Sequence, residues 1–188
     1  GKLRSIDLAL LKAQPGVVAV LTAADIPGAN DCGPIVHDDP ILAAQLLLPD
    51  GRCTGELRYV GQPVFAVVAR TRDAARRAAA LAKTAVQVQL LPPLLTPMQA
   101  HEAGQYVLPP MHLARGDAHA AMAQAPHRLQ TSFELGGQEQ FYLEGQISYA
   151  VPTEDRGLRV YCSTQHPSEM QHLVAHALAR PAHAVQVE

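Results

Sequence analysis

Apolar and polar positions along the first half of the chain change period several times, and each change predicts an element. Ile6 to Lys12 carries apolar residues at helical spacing, and Pro15-Gly16 stops it. Val17 to Thr22 is a continuous β-branched run of the kind a sheet buries on both faces. Residues 27–57, rich in Pro, Gly and Asp, predict a long surface excursion. Tyr59-Val60-Gly61-Gln62-Pro63 then turns into a second buried strand, Val64 to Ala69. Thr71 suits the N-cap of a helix over Asp73 to Lys83, whose alanines let it lie close on a sheet. Val86 to Leu90 alternates as a third strand. Strand, helix and strand within roughly thirty residues make one βαβ-sized unit, where a right-handed crossover is expected.

The second half is punctuated by proline. Leu90 to Pro110 reads as a connector with one short helix near Thr96 to Ala103. Asp117 caps a short helix over His119 to Ala125. Leu129 to Leu135 is strand-like, Gly136-Gly137 breaks it, and Phe141 to Val151 resumes the alternation. Leu158 to Ser163 is a further strand that turns, through Thr164-Gln165-His166, into a helix with Pro167 in its first turn. Met170, Leu173, Val174, Ala177 and Leu178 form the apolar face of that helix, and Arg180-Pro181 ends it. Val185 to Glu188 starts another strand.

Composition narrows the class. Among 188 residues, 48% are hydrophobic and 17% charged, so the chain can bury a core and is not of the disordered type. A net charge of −2 gives no nucleic-acid footprint. The longest uncharged stretches, Pro40 to Pro49 and Tyr59 to Ala69, are too short to span a bilayer. The opening residues run directly into globular sequence, with no signal peptide expected. Cys32, Cys53 and Cys162 lie far apart without a Cys-x-x-Cys pair. That pattern argues against a disulfide framework, an iron–sulfur cluster or a structural zinc held by this chain, and it points to the cytoplasm.

Several motifs have simpler explanations than the functions they suggest. Arg115-Gly116-Asp117 matches an adhesion tripeptide, but a helix-capping aspartate explains it. His172 and His176 have zincin spacing, yet Leu173 stands where the catalytic glutamate belongs. Gly136-Gly137 lacks the third glycine of a dinucleotide loop and reads as a kink or bulge. Glu139 and Glu144 are an odd offset apart, which puts them on opposite faces of a strand. What remains is the polar crowd Ser163, Thr164, Gln165, His166 and Ser168 where a strand ends and a helix begins. Such junctions place ligands in α/β-type folds, and they also serve as plain N-cap clusters.

The run Gly136 to Gln146 (GGQEQFYLEGQ), followed by Cys162 to Glu169 (CSTQHPSE), resembles the molybdenum-binding subunit of bacterial xanthine dehydrogenases. Pro15 to Gly28 (PGVVAVLTAADIPG), Asp39 to Ala43 (DPILA), Tyr59 to Ala69 and Ala114 to Asp117 (ARGD) agree in order. The resemblance implies an α+β chain: a hammerhead-type domain over 1–94 lacking its first strands, a connector over 95–111, and the opening segment of a molybdopterin-binding domain over 112–188. It implies oxidation of hypoxanthine and xanthine to urate at a molybdenum–molybdopterin centre, with oxygen from water. Electrons would pass through iron–sulfur clusters and FAD on a partner subunit to NAD, in a cytoplasmic heterotetramer. Gln165 matches the family glutamine that hydrogen-bonds a molybdenum-bound oxygen, without ligating the metal directly. No catalytic residue is assigned in this chain, because the family's base glutamate lies further downstream. The expected partners are the iron–sulfur/FAD subunit and a purine, with no nucleic acid and no membrane. Aldehyde oxidase, another molybdenum hydroxylase, or a non-catalytic scaffold of the same fold remain open readings. Gln140 replaces a usual histidine, Gln89-Leu90-Leu91 replaces a usual Tyr-Glu run, and Gln45 to Glu56 lengthens a usual link.

Overall fold

The computed structural model describes residues 1–33, 35–43 and 56–188. They form two compact units, residues 1–91 with 144–188, and residues 92–143. The first half begins with β1 (Lys2–Ile6), α1 (Leu8–Lys12) and β2 (Val17–Leu21). It continues with β3 (Ala66–Ala69), α2 (Arg72–Ala80), α3 (Ala82–Ala85) and β4 (Val86–Gln89). Local chemistry sets the helix starts. The Asp7 carboxylate accepts from the Leu10 N–H at 2.9 Å, and the Thr71 hydroxyl oxygen accepts from the Ala74 N–H at 3.2 Å. Ala74 and Ala78 are the buried positions of α2, as the alanine pattern predicts. Leu11, Val20 and Ala85 form the core here, with Ile6, Leu10, Val17, Phe65 and Leu81 packed around them.

The strand pairing departs from the expected βαβ unit. β3 and β4 lie in different two-stranded sheets: β2 pairs antiparallel with β3, and β1 pairs antiparallel with β4. The missing piece was β1, where Lys2, Leu3 and Arg4 alternate and Leu3 is fully buried opposite Val88. Because β1 captures β4, the crossover after α2 leads into another sheet. Nor are β2 and β3 buried on both faces, since Val18, Leu21 and Val68 are exposed. Antiparallel pairs tolerate one wet face, whereas the β-branched run alone suggested two dry ones.

The excursion after β2 is tied down at its described ends. Asn30 imitates a strand: its amide donates to the Leu42 carbonyl at 2.7 Å and its carbonyl accepts from the Leu42 N–H at 3.0 Å. Leu42 and Ala43 are buried, so this part is not surface loop throughout. Most of the lengthened link from Gln45 to Glu56, together with Cys53, lies outside the described residues.

The unit over residues 92–143 holds two short helices, α4 (Pro97–Glu102) and α5 (Ala118–Gln124). Thr96 and Gln99 form a capping box on α4, and the Asp117 carboxylate accepts from the Ala120 N–H at 2.8 Å to start α5. Leu129 to Leu135 forms no strand, and the strand expected over Phe141 to Val151 is confined to a later segment. Alternation supplies an apolar face, but a strand also needs a neighbour, and among the described residues none pairs here. Gly136-Gly137 consequently kinks no ladder, and Glu139 and Glu144 lie on no strand whose faces could separate them.

The last part is β5 (Ser148–Pro152), β6 (Leu158–Cys162), α6 (Pro167–Ala177) and β7 (Val185–Val187). β5 and β6 are antiparallel with Tyr149 opposite Tyr161, their rings stacked 6.1 Å apart. β6 and β7 are parallel with α6 between them, so the βαβ unit sits here rather than in the first half. Val160, Ala175 and Val185 are its buried centre. His172 and His176 are both exposed on α6.

Candidate functional site

The junction from β6 into α6 is built by four consecutive polar residues. The Ser163 hydroxyl donates to the Gly145 carbonyl at 2.8 Å and so ties the start of the loop to the chain before β5. The His166 N–H donates to the Thr164 hydroxyl at 3.1 Å, closing a tight turn around Gln165. His166 is the N-cap of α6: its Nδ1 accepts from the Glu169 N–H at 3.1 Å, which assigns the neutral-ring proton to Nε2. Pro167 at the first helical position has no N–H to satisfy.

Gln165 stands at the apex of this turn. Its side chain is exposed, and among the described residues its amide has no hydrogen-bond partner. Thr164 and His166 accept the two backbone N–H groups bonded here, those of His166 and Glu169, so the Gln165 side chain takes no part in closing the turn or capping the helix. The sequence left cap and ligand readings open for this cluster. The structure divides them by residue, with His166 as the cap and Gln165 as the free donor.

Two shallow clefts of about 340 and 440 Å³ flank β7, one lined by Asp155, Arg159 and His183, the other by Pro167, Gln171 and Val187. Gln165 lines neither. Gln171, which the sequence reading passed over, has a structural duty: its amide donates to the Ala182 carbonyl at 3.1 Å and the Val185 carbonyl at 2.6 Å, fixing β7 to α6. Its polar character on a half-buried helix face was the available signal. Cys32 is a half-buried free thiol. Burial first, then the charges of Asp39 and Asp31, push its thiol above the ordinary range, and its sulfur donates to the Asp39 carbonyl. No helix among the described residues is long and apolar enough to cross a membrane.

Comparison with known proteins bears on both halves of the chain. Residues 1–89 match the aldehyde oxidase and xanthine dehydrogenase a/b hammerhead domain. Residues 100–188 match the molybdopterin cofactor-binding domain. Xanthine dehydrogenase of Drosophila subobscura is 38% identical over 186 residues, which is 98% of this chain and 13% of that protein. The chain belongs to the xanthine oxidase family, within its molybdenum-binding part. Aldehyde oxidase 2 of Cavia porcellus is 36% identical over 185 residues, 98% of the chain and 13% of the relative. Quinoline 2-oxidoreductase from Pseudomonas putida 86 superposes with a TM-score of 0.73 at 25% identity, over 99% of this chain and 24% of the other. The chain thus spans about an eighth of the length of the curated relatives it matches. The α+β architecture is that of a hammerhead domain followed by the start of a molybdopterin cofactor-binding domain.

The donor chemistry at the junction suits such a cofactor. Among the described residues no three His, Cys, Asp or Glu side chains converge as a metal site would require. A pterin-held metal brings its own ligands and needs outer hydrogen-bond donors from the protein, which is what a free glutamine amide supplies. Gln165 fits the cofactor as a donor.

Proposed function

We propose that this chain forms part of a xanthine dehydrogenase, with residues 1–94 as the hammerhead, 95–111 as connector and 112–188 as the start of the molybdopterin-binding domain. In this reading the complete enzyme oxidises hypoxanthine and xanthine to urate with oxygen from water. Electrons leave through iron–sulfur clusters and FAD on a partner subunit to NAD, in a cytoplasmic heterotetramer. The bound cofactor supplies the redox chemistry. Gln165 donates its amide N–H to an oxygen of the cofactor and so orients it, while Thr164 and His166 keep that amide at the turn. A hydrogen bond of this kind to a charged group contributes roughly 1.5–3 kcal/mol.

The observation that carries the choice of substrate is the 38% identity to a xanthine dehydrogenase across 98% of the chain. The aldehyde oxidase at 36% identity supports a second reading, in which the complete enzyme oxidises aldehydes. Steady-state kinetics of the complete protein separate the two. The xanthine reading expects kcat/KM for xanthine to exceed that for an aromatic aldehyde by at least about 10-fold, a gap of about 1.4 kcal/mol in transition-state binding. The reverse preference overturns it. Gln165→Ala in the same protein should lower molybdenum content or turnover by about 10–100-fold, the range for outer partners of a metal site. Full content with full turnover would leave Gln165 as a mere turn residue.

A further inference from the structure

Helix α6 is closed at its C-terminal end by residues from both halves of the chain. Ala179 adopts a left-handed φ of 51°. Its N–H donates to the His176 carbonyl at 3.2 Å, and the Arg180 N–H donates to the Ala175 carbonyl at 2.9 Å, a Schellman closure. The Gly28 N–H donates to the Ala177 carbonyl at 2.9 Å, and the Ala29 N–H donates to the His176 carbonyl at 3.0 Å. These two donors come from the hammerhead segment that follows β2. The Gly28 bond fills the Ala177 carbonyl, an acceptor of the kind a helix end leaves to water, and the Ala29 bond adds a second donor to the His176 carbonyl.

Glycine at position 28 is required by space rather than by backbone angle. Its φ lies outside the left-handed region, but a Cβ built there would run into the His176 carbonyl oxygen and crowd the Ala179 nitrogen. Both obstacles are backbone atoms, so neither can swing aside as a side chain could. The rest of the helix is held by its His166 cap and by apolar packing in which Val174 is partly buried beside Ala175. Its fully buried contact is Ala175 against Val160 and Val185, small apolar groups whose contacts carry no direction. Directional restraint comes from the Gln171 amide and from this closure.

We propose that Gly28 is a positioning residue for the cofactor site: the close approach it permits lets Gly28 and Ala29 hold the C-terminal end of α6, and through the helix set where Gln165 is presented. The proposal rests on the assignment of Gln165 made above. The helix is 11 residues long and spans about 16 Å, so displacement at one end is delivered to the other as a rigid shift. The hammerhead thereby acts on the cofactor site through a helix it does not contain.

The test uses the complete, cofactor-loaded protein and compares Gly28→Ala, Gln165→Ala and the double variant. Arg76→Ala, an exposed position on α2 outside the cofactor-binding segment, serves as the control. Molybdenum per chain is read by elemental analysis, and the site by the molybdenum(V) electron-paramagnetic-resonance signal after partial reduction. Gly28→Ala is expected to lower molybdenum content by about 10-fold or to shift the signal as Gln165→Ala does. The double variant should be no worse than the worse single, because both act through one contact. A Gly28→Ala protein indistinguishable from the control, or effects that simply add, overturns the proposal. If Gly28→Ala fails to fold, Ala29→Pro removes one donor without bulk at position 28; the same shift supports the proposal and wild-type readings overturn it. An unchanged Gln165→Ala removes the site assignment and the proposal with it, whereas an altered Gln165→Ala beside a silent Gly28→Ala overturns the proposal alone.

Discussion

Asp25 closes a turn against Thr22, accepting from the Thr22 N–H at 2.7 Å and from its hydroxyl at 2.9 Å. The backbone bond first, then the hydroxyl, hold its carboxyl below the ordinary value of 3.8. A depressed folded pKa means that the ionised form is favoured by folding. Its contribution is therefore fully present above about pH 4 and is lost as acid protonates the folded carboxyl. Asp25→Asn should destabilise the chain by a constant amount near neutrality, and the gap to wild type should close as pH falls below about 4. Urea unfolding at a series of pH values measures it, and a gap that widens in acid would contradict the assigned cause. The turn matters for position as well as stability, since Ile26 to Ala29 follow it directly and carry the donors that close α6.

At the scale of elements, α6 was the most legible part of the sequence. Pro167, the apolar spacing and Arg180-Pro181 gave its span, and the structure runs it over Pro167–Ala177. Its cap was harder to read, because histidine is not among the usual N-cap residues and four polar neighbours competed for the role. His166→Ala should cost about 1 kcal/mol of stability, while His166→Asn, which keeps an acceptor at the cap, should cost little. Equal losses in chemical denaturation would show that the imidazole packs rather than caps. Strand pairing was the least legible feature. A single strand records its own alternation but not its partner, so β4 read as the end of a βαβ unit when its partner was β1. Which side chain of the cluster caps the helix could not be read from the sequence either, because it depends on which neighbour accepts each backbone N–H.

At the scale of the whole molecule, apolar surface sets the behaviour of the chain. Leu129, Phe133, Leu135, Phe141, Leu143 and Ile147 are all largely exposed, and no strand among the described residues pairs with that stretch. The odd positions 129, 133, 135, 141 and 143 share one parity, so if Leu129 to Leu135 were to extend against another chain it would present Leu129, Phe133 and Leu135 on one face. Burial of apolar surface contributes about 25 cal/mol per Å², and exposed apolar edges with unpaired backbone groups attract further strands. The 188-residue chain expressed by itself should therefore bind a hydrophobic dye and elute as oligomers on size exclusion. Replacing Phe133 and Leu135 by serine and lysine should shift elution toward monomer without changing the helical circular-dichroism signal, since neither residue lies in a helix. A dye-silent monomer of the unaltered chain would mean that this stretch folds back on its own unit in solution.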